Sequence, residues 1–279
     1  LDGALWFRST TFGDDKDRVI IRADGRPTYF AADIGYVTEK FSRGFDHLIY
    51  IWGADHHGTV ARVRNAAEAM GYDKSAVEMI LIAWVRFVRD GVEVSMSKRA
   101  GEFIALDELL AEIGVDAARW YFGSRAHTSG IDLDIERLRG QRDALERGDH
   151  EEASQSPVYY VQYAHARIAS ILRKAADVSL APATGVEGGL AGAPEAALAR
   201  VVVRLPEVVE DGAAGQETHG VTAYATELAT AFHAFYRDAR VVDPAEPERS
   251  RVRLALAEAT RVTLANTLGL LGISAPDQM

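Results

Sequence analysis

The chain has 279 residues, 48% hydrophobic, 26% charged and 9% aromatic, enough apolar material for two cores and too much for a disordered polypeptide. It has no cysteine, which excludes a disulfide framework and a thiolate metal site and fits a reducing cytoplasm. A net charge of −10 counts mildly against a nucleic-acid binder, although an acidic enzyme that acts on RNA can still carry a local basic stripe; no apolar run approaches the ~20 residues that cross a membrane, and no signal peptide is visible.

The opening residues, LDGALWFRSTTFGDDKDRV, contain no initiator methionine and no helix-start pattern, and read as the interior of a longer protein. RVIIRADGRPTYF carries two β-rich runs around Asp24-Gly25, a hairpin signal. On this reading Tyr29 ends a strand and Asp33 opens the helix DIGYVTEKFSRG, which stops at Gly44. HLIYIWGAD is a short apolar run of the kind a buried parallel strand shows, and HHGTVARVRNAAEAMG is a helix ending at Gly71. WVRFVRDGVEVSM is a second hairpin with Asp90-Gly91 at the turn. Strands alternating with helices predict a nucleotide-binding α/β layer over 1–105.

Asp107 has the position of an N-cap for ELLAEIG, and DAARWYFGSRA is a further helix. Residues 132–156 are dense in charge of both signs and read as a solvated helix within a helical connector over 106–155. Ser156-Pro157 then announces a long helix. A loop rich in Ala, Gly and Pro and three more amphipathic segments follow it, so 156–279 reads as an all-α bundle of about four or five helices.

Four stretches carry candidate chemistry. In SMSKRAG, Lys98 sits on a short loop between a hairpin and a helix. Such a lysine is ordinarily solvated, but its mobile ammonium is also suited to following charge on a polyphosphate. In TYFAAD, Tyr29 and Asp33 are four residues apart and can converge on one pocket; Asp33 can cap a helix, recognise a guanidinium, or do both. WGADHHG falls where a strand should end and a helix begin, the usual ligand-binding edge of an open α/β sheet. There Gly53 would let the backbone approach a flat base or ribose, and Asp55, His56 and His57 supply polar groups. Asp-His-His also names a family of two-metal phosphoesterases, but the further carboxylates such a site needs are not evident. In YVQYAHAR, Tyr160 and Arg167 lie two turns apart on one helix face. Tyr160 suits either core packing or base stacking, with Gln162 and His165 nearby.

Taken together, SMSKRAG, PTYFAADIGY, WGADHHG, VDAARWYF and PVYYVQYAHARIASILRKA resemble bacterial arginyl-tRNA synthetases. SMSKR is similar to the K-M-S-K-S signature of class I aminoacyl-tRNA synthetases, with Ser95 in place of the first lysine and Arg99 in place of the last serine. The resemblance covers nearly the whole chain and is weakest over 136–155 and 176–220. It implies part of a Rossmann-type catalytic domain followed by a helical-bundle anticodon-binding domain. It also implies ATP-dependent activation of L-arginine, with Mg²⁺ on the phosphates, and transfer to tRNA(Arg). Carried over residue by residue, it gives Met96, Ser97 and Lys98 a catalytic role and assigns Tyr29 and Asp33 to the arginine side chain. Gly53, Asp55 and His56, with Lys98, go to ATP, and Tyr160, Arg167 and Met279 to the anticodon. No protein-held metal is implied.

No His-x-Gly-His stretch, the second class I signature, occurs in the sequence. The expectation is therefore that an N-terminal half of the same enzyme is missing, that part of a sheet face lies uncovered, and that the chain alone has little activity. The alternative is a tRNA-binding module that has shed catalysis. Intact Tyr29, Asp33 and Lys98 favour the ligase, because a pure binding module has no use for them.

Overall fold

The structure, a computed structural model, describes residues 3–89, 91–94, 104–185 and 192–279. The chain divides into two compact units, Leu1–Trp84 with His127–Gly130, and Val85–Ala126 with Ile131–Met279.

In the first unit, β1 (Leu5–Phe7) pairs antiparallel with β2 (Arg18–Ile21). The hairpin expected around Asp24-Gly25 shrinks to one bridge, between Ile21 and Pro27. Pro27 has no N–H to extend a ladder, and the run after it turns helical. Thr28 caps α1 (Tyr29–Ser42), accepting from the Ala31 N–H at 3.3 Å while its hydroxyl donates to the Val19 carbonyl at 3.0 Å. Tyr29 therefore opens a helix and does not end a strand. Asp33 lies one turn inside that helix and does not cap it.

Next, β3 (Leu48–Gly53) leads through a 3-10 turn, Ala54–Thr59, into α2 (Val60–Ala69) and on to β4 (Val77–Ile82). β3 and β4 are parallel, in register from Leu48 opposite Val77 to Gly53 opposite Ile82, as an apolar run followed by a helix should give. Val37, Leu48, Tyr50, Val63, Ala67 and Val77 form the core of this unit. The opposite face of β3 is open, with Ile49 and Ile51 49% and 62% exposed. A strand expected to be buried on both faces is covered on one.

In the second unit, β5 (Val85–Arg89) pairs antiparallel with β6 (Val92–Glu93), the expected second hairpin. Its turn residue Asp90 lies outside the described residues. α3 (Leu106–Ile113) begins after Ala105, whose N–H donates to the Glu108 carboxylate at 3.1 Å. Asp107 is consequently a first-turn residue that favours the helix dipole, not the cap. After α4 (Val115–Gly123) comes β7 (Ile131–Asp134), parallel to β5. This strand falls inside the segment read as helical connector. Ile131, Leu133 and Ile135 alternate with Asp132 and Asp134, and Leu133 and Ile135 are buried in a core with Leu109, Ile113, Ala118 and Leu138. α5 (Ile135–Glu146) and α6 (His150–Ala153) complete the approach to the bundle.

The bundle comprises, among the described residues, α7 (Pro157–Asp177), α8 (Ala193–Val202), α9 (Leu205–Gly215), α10 (His219–Asp238) and α11 (Pro247–Leu270). Pro157 occupies the first turn of α7, where its missing N–H costs nothing. Ile168, Leu228, Phe232, Phe235, Leu254 and Leu264 are essentially fully buried together, each such side chain adding about 1.5–3 kcal/mol of hydrophobic stabilisation. The tail, residues 271–279, returns along α7. The Gln162 side-chain amide donates to the Ser274 carbonyl at 2.9 Å, and His165 Nδ1 lies 2.9 Å from the Pro276 carbonyl.

Candidate functional site

Two places gather the candidate residues, one in each unit. In the first unit, the 3.6-residue period of α1 sets Tyr29, Asp33, Tyr36 and Lys40 along one side, while Val37 packs inward. Tyr29 is 91% exposed. Asp33 is half-buried and has neither a hydrogen bond nor an ion pair among the described residues. Burial raises its pKa, and the charge of His56 opposes that rise.

Beside it, the Lys40 ammonium sits 4.2 Å from the centre of the Tyr36 ring and 3.7 Å from that of Tyr50, a cation held between two π faces. Burial holds its pKa below the usual lysine value. The buried Tyr50 hydroxyl has no partner among the described residues. Burial, and then the negative charge of Asp33, push the phenol up to about 12.

β3 delivers the remaining groups. Gly53 ends the strand, and a Cβ added there would lie 2.5 Å from Asp55 Oδ1. The absence of a side chain at Gly53 thus lets the Asp55 carboxylate fold back over the strand end. His56 lies 3.6 Å from that carboxylate and packs on Trp52 with ring centres 5.6 Å apart. This strand-end turn and one side of α1 supply a carboxylate, an imidazole and aromatic rings, a set that fits a planar cation. Met96, Ser97 and Lys98 lie outside the described residues.

In the second unit, α7 buries Val158, Val161, Ala164, Ile168 and Ile171 and turns Tyr160, Tyr163, Arg167 and Ser170 the other way. The Arg167 guanidinium lies 5.2 Å from the Tyr163 ring centre and 4.9 Å from that of Tyr236 on α10. Arg167 makes no ion pair among the described residues. Tyr163, Arg167, Tyr236 and Met279 line a cleft of about 500 Å³. The structure therefore brings Arg167 and Met279 together.

Tyr160 does not line that cleft. It packs on His233 with ring centres 5.0 Å apart, and its hydroxyl is 3.3 Å from Thr230 Oγ1. Burial, and then the Arg167 charge, push His233 down to about 4. Gln162 and His165 are buried clamps on the tail that ends in Met279. Sequence reasoning missed the two aromatic residues of this cleft. Tyr163 had a signal, its four-residue spacing from Arg167; Tyr236 had none, being brought in by another helix.

The model of the family described as "tRNA synthetases class I (R), catalytic domain" matches residues 1–122, and that of the "DALR anticodon binding domain" matches 161–279. Curated arginine–tRNA ligases from Geobacter sp. (strain M21) and Bacillus subtilis (strain 168) are 46% and 43% identical over the whole chain. The chain spans about half the length of these curated relatives, 49% and 48% respectively. A Campylobacter jejuni structure described as a candidate arginyl-tRNA synthetase aligns over 100% of this chain and 58% of its own, with a TM-score of 0.85 and 34% identity. The Thermus thermophilus arginyl-tRNA synthetase shares the fold, with a TM-score of 0.78 at 22% identity over 99% of this chain and 54% of its own. With a class I catalytic match over 1–122 followed by a DALR match over 161–279, and arginine–tRNA ligases similar to it over its whole length, this chain belongs to the arginyl-tRNA synthetase family.

Proposed function

We propose that the chain supplies part of an arginine–tRNA ligase: the side-chain pocket for L-arginine, the Lys98 loop for ATP, and the anticodon platform for tRNA(Arg). The observation that carries the reading is Asp33, a half-buried carboxylate with no hydrogen-bond or ion-pair partner among the described residues, beside Tyr29 on one helix face. A partly desolvated anion without an ion-pair partner favours a cationic ligand, and a guanidinium gives it two parallel N–H donors.

The arginine carboxylate attacks the α-phosphate of ATP in line, forming arginyl-adenylate and releasing pyrophosphate. A hydroxyl of the terminal tRNA ribose then attacks the activated carbonyl and AMP leaves. In this reading Lys98, with Ser97 and Met96 beside it, neutralises charge that moves onto the phosphates. Gly53, Asp55 and His56 hold the nucleotide at the strand end. Mg²⁺ would come on the ATP phosphates, where it would neutralise charge as pyrophosphate leaves. Tyr160, Arg167 and Met279, joined by Tyr163 and Tyr236, form the anticodon platform, with Tyr160 backing it through His233. Among the described residues no helix is long and apolar enough to cross a membrane, and a cytoplasmic setting, where ATP and tRNA are found, belongs to the same reading.

The test is Asp33→Asn in a polypeptide of the relatives' full length, assayed by arginine-dependent ATP–pyrophosphate exchange. KM for arginine should rise about 100-fold or more, because a neutral amide leaves a buried guanidinium uncompensated, at a cost of about 3–5 kcal/mol. KM for ATP should hold within about threefold. Unchanged arginine kinetics would remove the pocket assignment. Lys98→Ala in the same assay should lower kcat with little change in KM for arginine, the mark of an interaction made in the transition state.

A further inference from the structure

The cleft under Arg167 is not isolated. A second cleft, of about 570 Å³, runs from Ile171 and Lys174 on α7 to the chain leaving α10 at Arg237–Val242. Ile171, Lys174 and Tyr236 line both clefts, so the Tyr236 ring is a shared wall between them.

The second cleft has a definite chemistry. Its floor is apolar, with Ile171, Val241 and Val242. Three cations, Lys174, Arg237 and Arg240, line it against one carboxylate, Asp238, a local positive excess in a chain of net charge −10. Asp238 is engaged by Arg237 at 2.9 Å, and Arg240 has Asp243 at 3.6 Å. Both arginine side chains are mostly exposed, so water and salt weaken these pairs and leave the guanidiniums available to a stronger anion. Lys174 forms no ion pair among the described residues. An apolar floor, an aromatic wall and cations at the edge are what an unstacked nucleotide needs: its base finds a π face and a dry surface, and its phosphate finds ammonium and guanidinium donors.

We propose that this second cleft is a nucleotide subsite. It takes the single-stranded RNA residue next to the base held at Arg167, with the base against Tyr236 and the phosphate between Lys174 and Arg240. The inference rests on the reading of α7 and α10 as an anticodon platform and adds to it the recognition of a flanking residue. It also accounts for how a strongly acidic chain holds a polyanion: Arg167, Arg173, Lys174, Arg237 and Arg240 line the two clefts against the carboxylates Asp238 and Asp277.

The experiment is an equilibrium titration of the full chain with a fluorescently labelled tRNA(Arg) transcript at several salt concentrations, comparing wild type, Arg167→Ala and the double variant Lys174→Ala/Arg240→Ala. The two substituted side chains of the double variant are exposed, so its melting temperature should match wild type. It should bind roughly tenfold more weakly at 0.1 M salt. The slope of log K against log salt should fall by about 0.7, the value for the one single-strand phosphate that the protein no longer neutralises.

A transcript made abasic, one at a time, at the two loop positions on either side of the base held at Arg167 adds an independent readout. One such position should cost the wild type about tenfold and cost the double variant nothing further. If Arg167→Ala weakens binding while the double variant keeps wild-type affinity and slope, the subsite is wrong and the platform stands. If neither variant loses affinity, platform and subsite fail together. If abasic transcripts lose equally with wild type and double variant, the cations act as a diffuse field and the subsite is overturned.

Discussion

The bundle and the sheet-bearing first unit handle their apolar residues in opposite ways. In the bundle, Phe232, Phe235, Leu254 and Leu264 are all but fully buried, and the outward side of α7 and α10 is given to tyrosine, histidine and arginine. In the first unit a two-stranded parallel sheet covers one face only, and Ile49, Ile51 and Trp84 are open to solvent. The lesson concerns where stability and function reside. The bundle is closed around its own core and carries its candidate binding groups, Tyr163, Arg167 and Tyr236, on its outward side. The first unit has a small core, and its candidate groups, Tyr29, Asp33, Asp55 and His56, border exposed apolar surface.

That contrast can be broken by substitution. The largest effect is expected inside the bundle: Phe232→Ala should cost about 3–5 kcal/mol in chemical denaturation, as a fully buried aromatic replaced by a cavity does. A loss below about 1 kcal/mol would mean the core is not packed as described.

A smaller effect follows from His233. Its folded pKa, about 4, is below the 6.5 of the free side chain, so between those values the unfolded chain binds a proton that the folded bundle refuses. Stability should be flat above pH 6.5 and fall as the pH drops through that window, by roughly 1.4 kcal/mol per pH unit at most for one proton. His233→Gln should flatten the profile. A bundle whose melting temperature is the same at about pH 7 and about pH 5, or a His233→Gln variant with an unchanged slope, would contradict the buried neutral imidazole.

The smallest effect sharpens the other side of the comparison. Ile51→Thr, on the open sheet face, should change stability by less than about 0.5 kcal/mol, because the isoleucine gives up little burial; a loss comparable to that of Phe232→Ala would show the face to be covered in this chain.

Much of this arrangement was legible in the sequence, and the misses have physical causes. The run LIYIWG announced a parallel strand through its β-branched and aromatic density. The Ser156-Pro157 pair announced α7, whose long apolar side makes the bundle assignment insensitive to its exact ends. The start of α1 misled because TYF has the composition of a strand. The deciding interaction is the Thr28 hydroxyl, which both caps the helix and reaches the Val19 carbonyl on β2, and a contact across nine residues leaves no local pattern. β7 was hidden because alternation is short and weak there: its outward positions are aspartates, and dense charge suggested a solvated helix. The platform was half legible. Tyr160, Tyr163 and Arg167 share a helix and announce one another by spacing, whereas Tyr236 reaches Arg167 only through the packing of α10 on α7. Gln162 and His165, which the sequence leaves without an assigned role, bind the tail through residues more than a hundred positions away.

The central claim is a division of labour, with arginine and ATP at the α1–β3 end and the anticodon at the α7–α10 cleft. It is tested most directly by titrating this chain with two tRNA(Arg) transcripts that differ only in the central anticodon base. The account predicts that wild type and Asp33→Asn both bind the altered transcript at least tenfold more weakly, while Arg167→Ala binds the two transcripts alike. Equal affinity of the wild type for both transcripts, or loss of discrimination in Asp33→Asn, would contradict it.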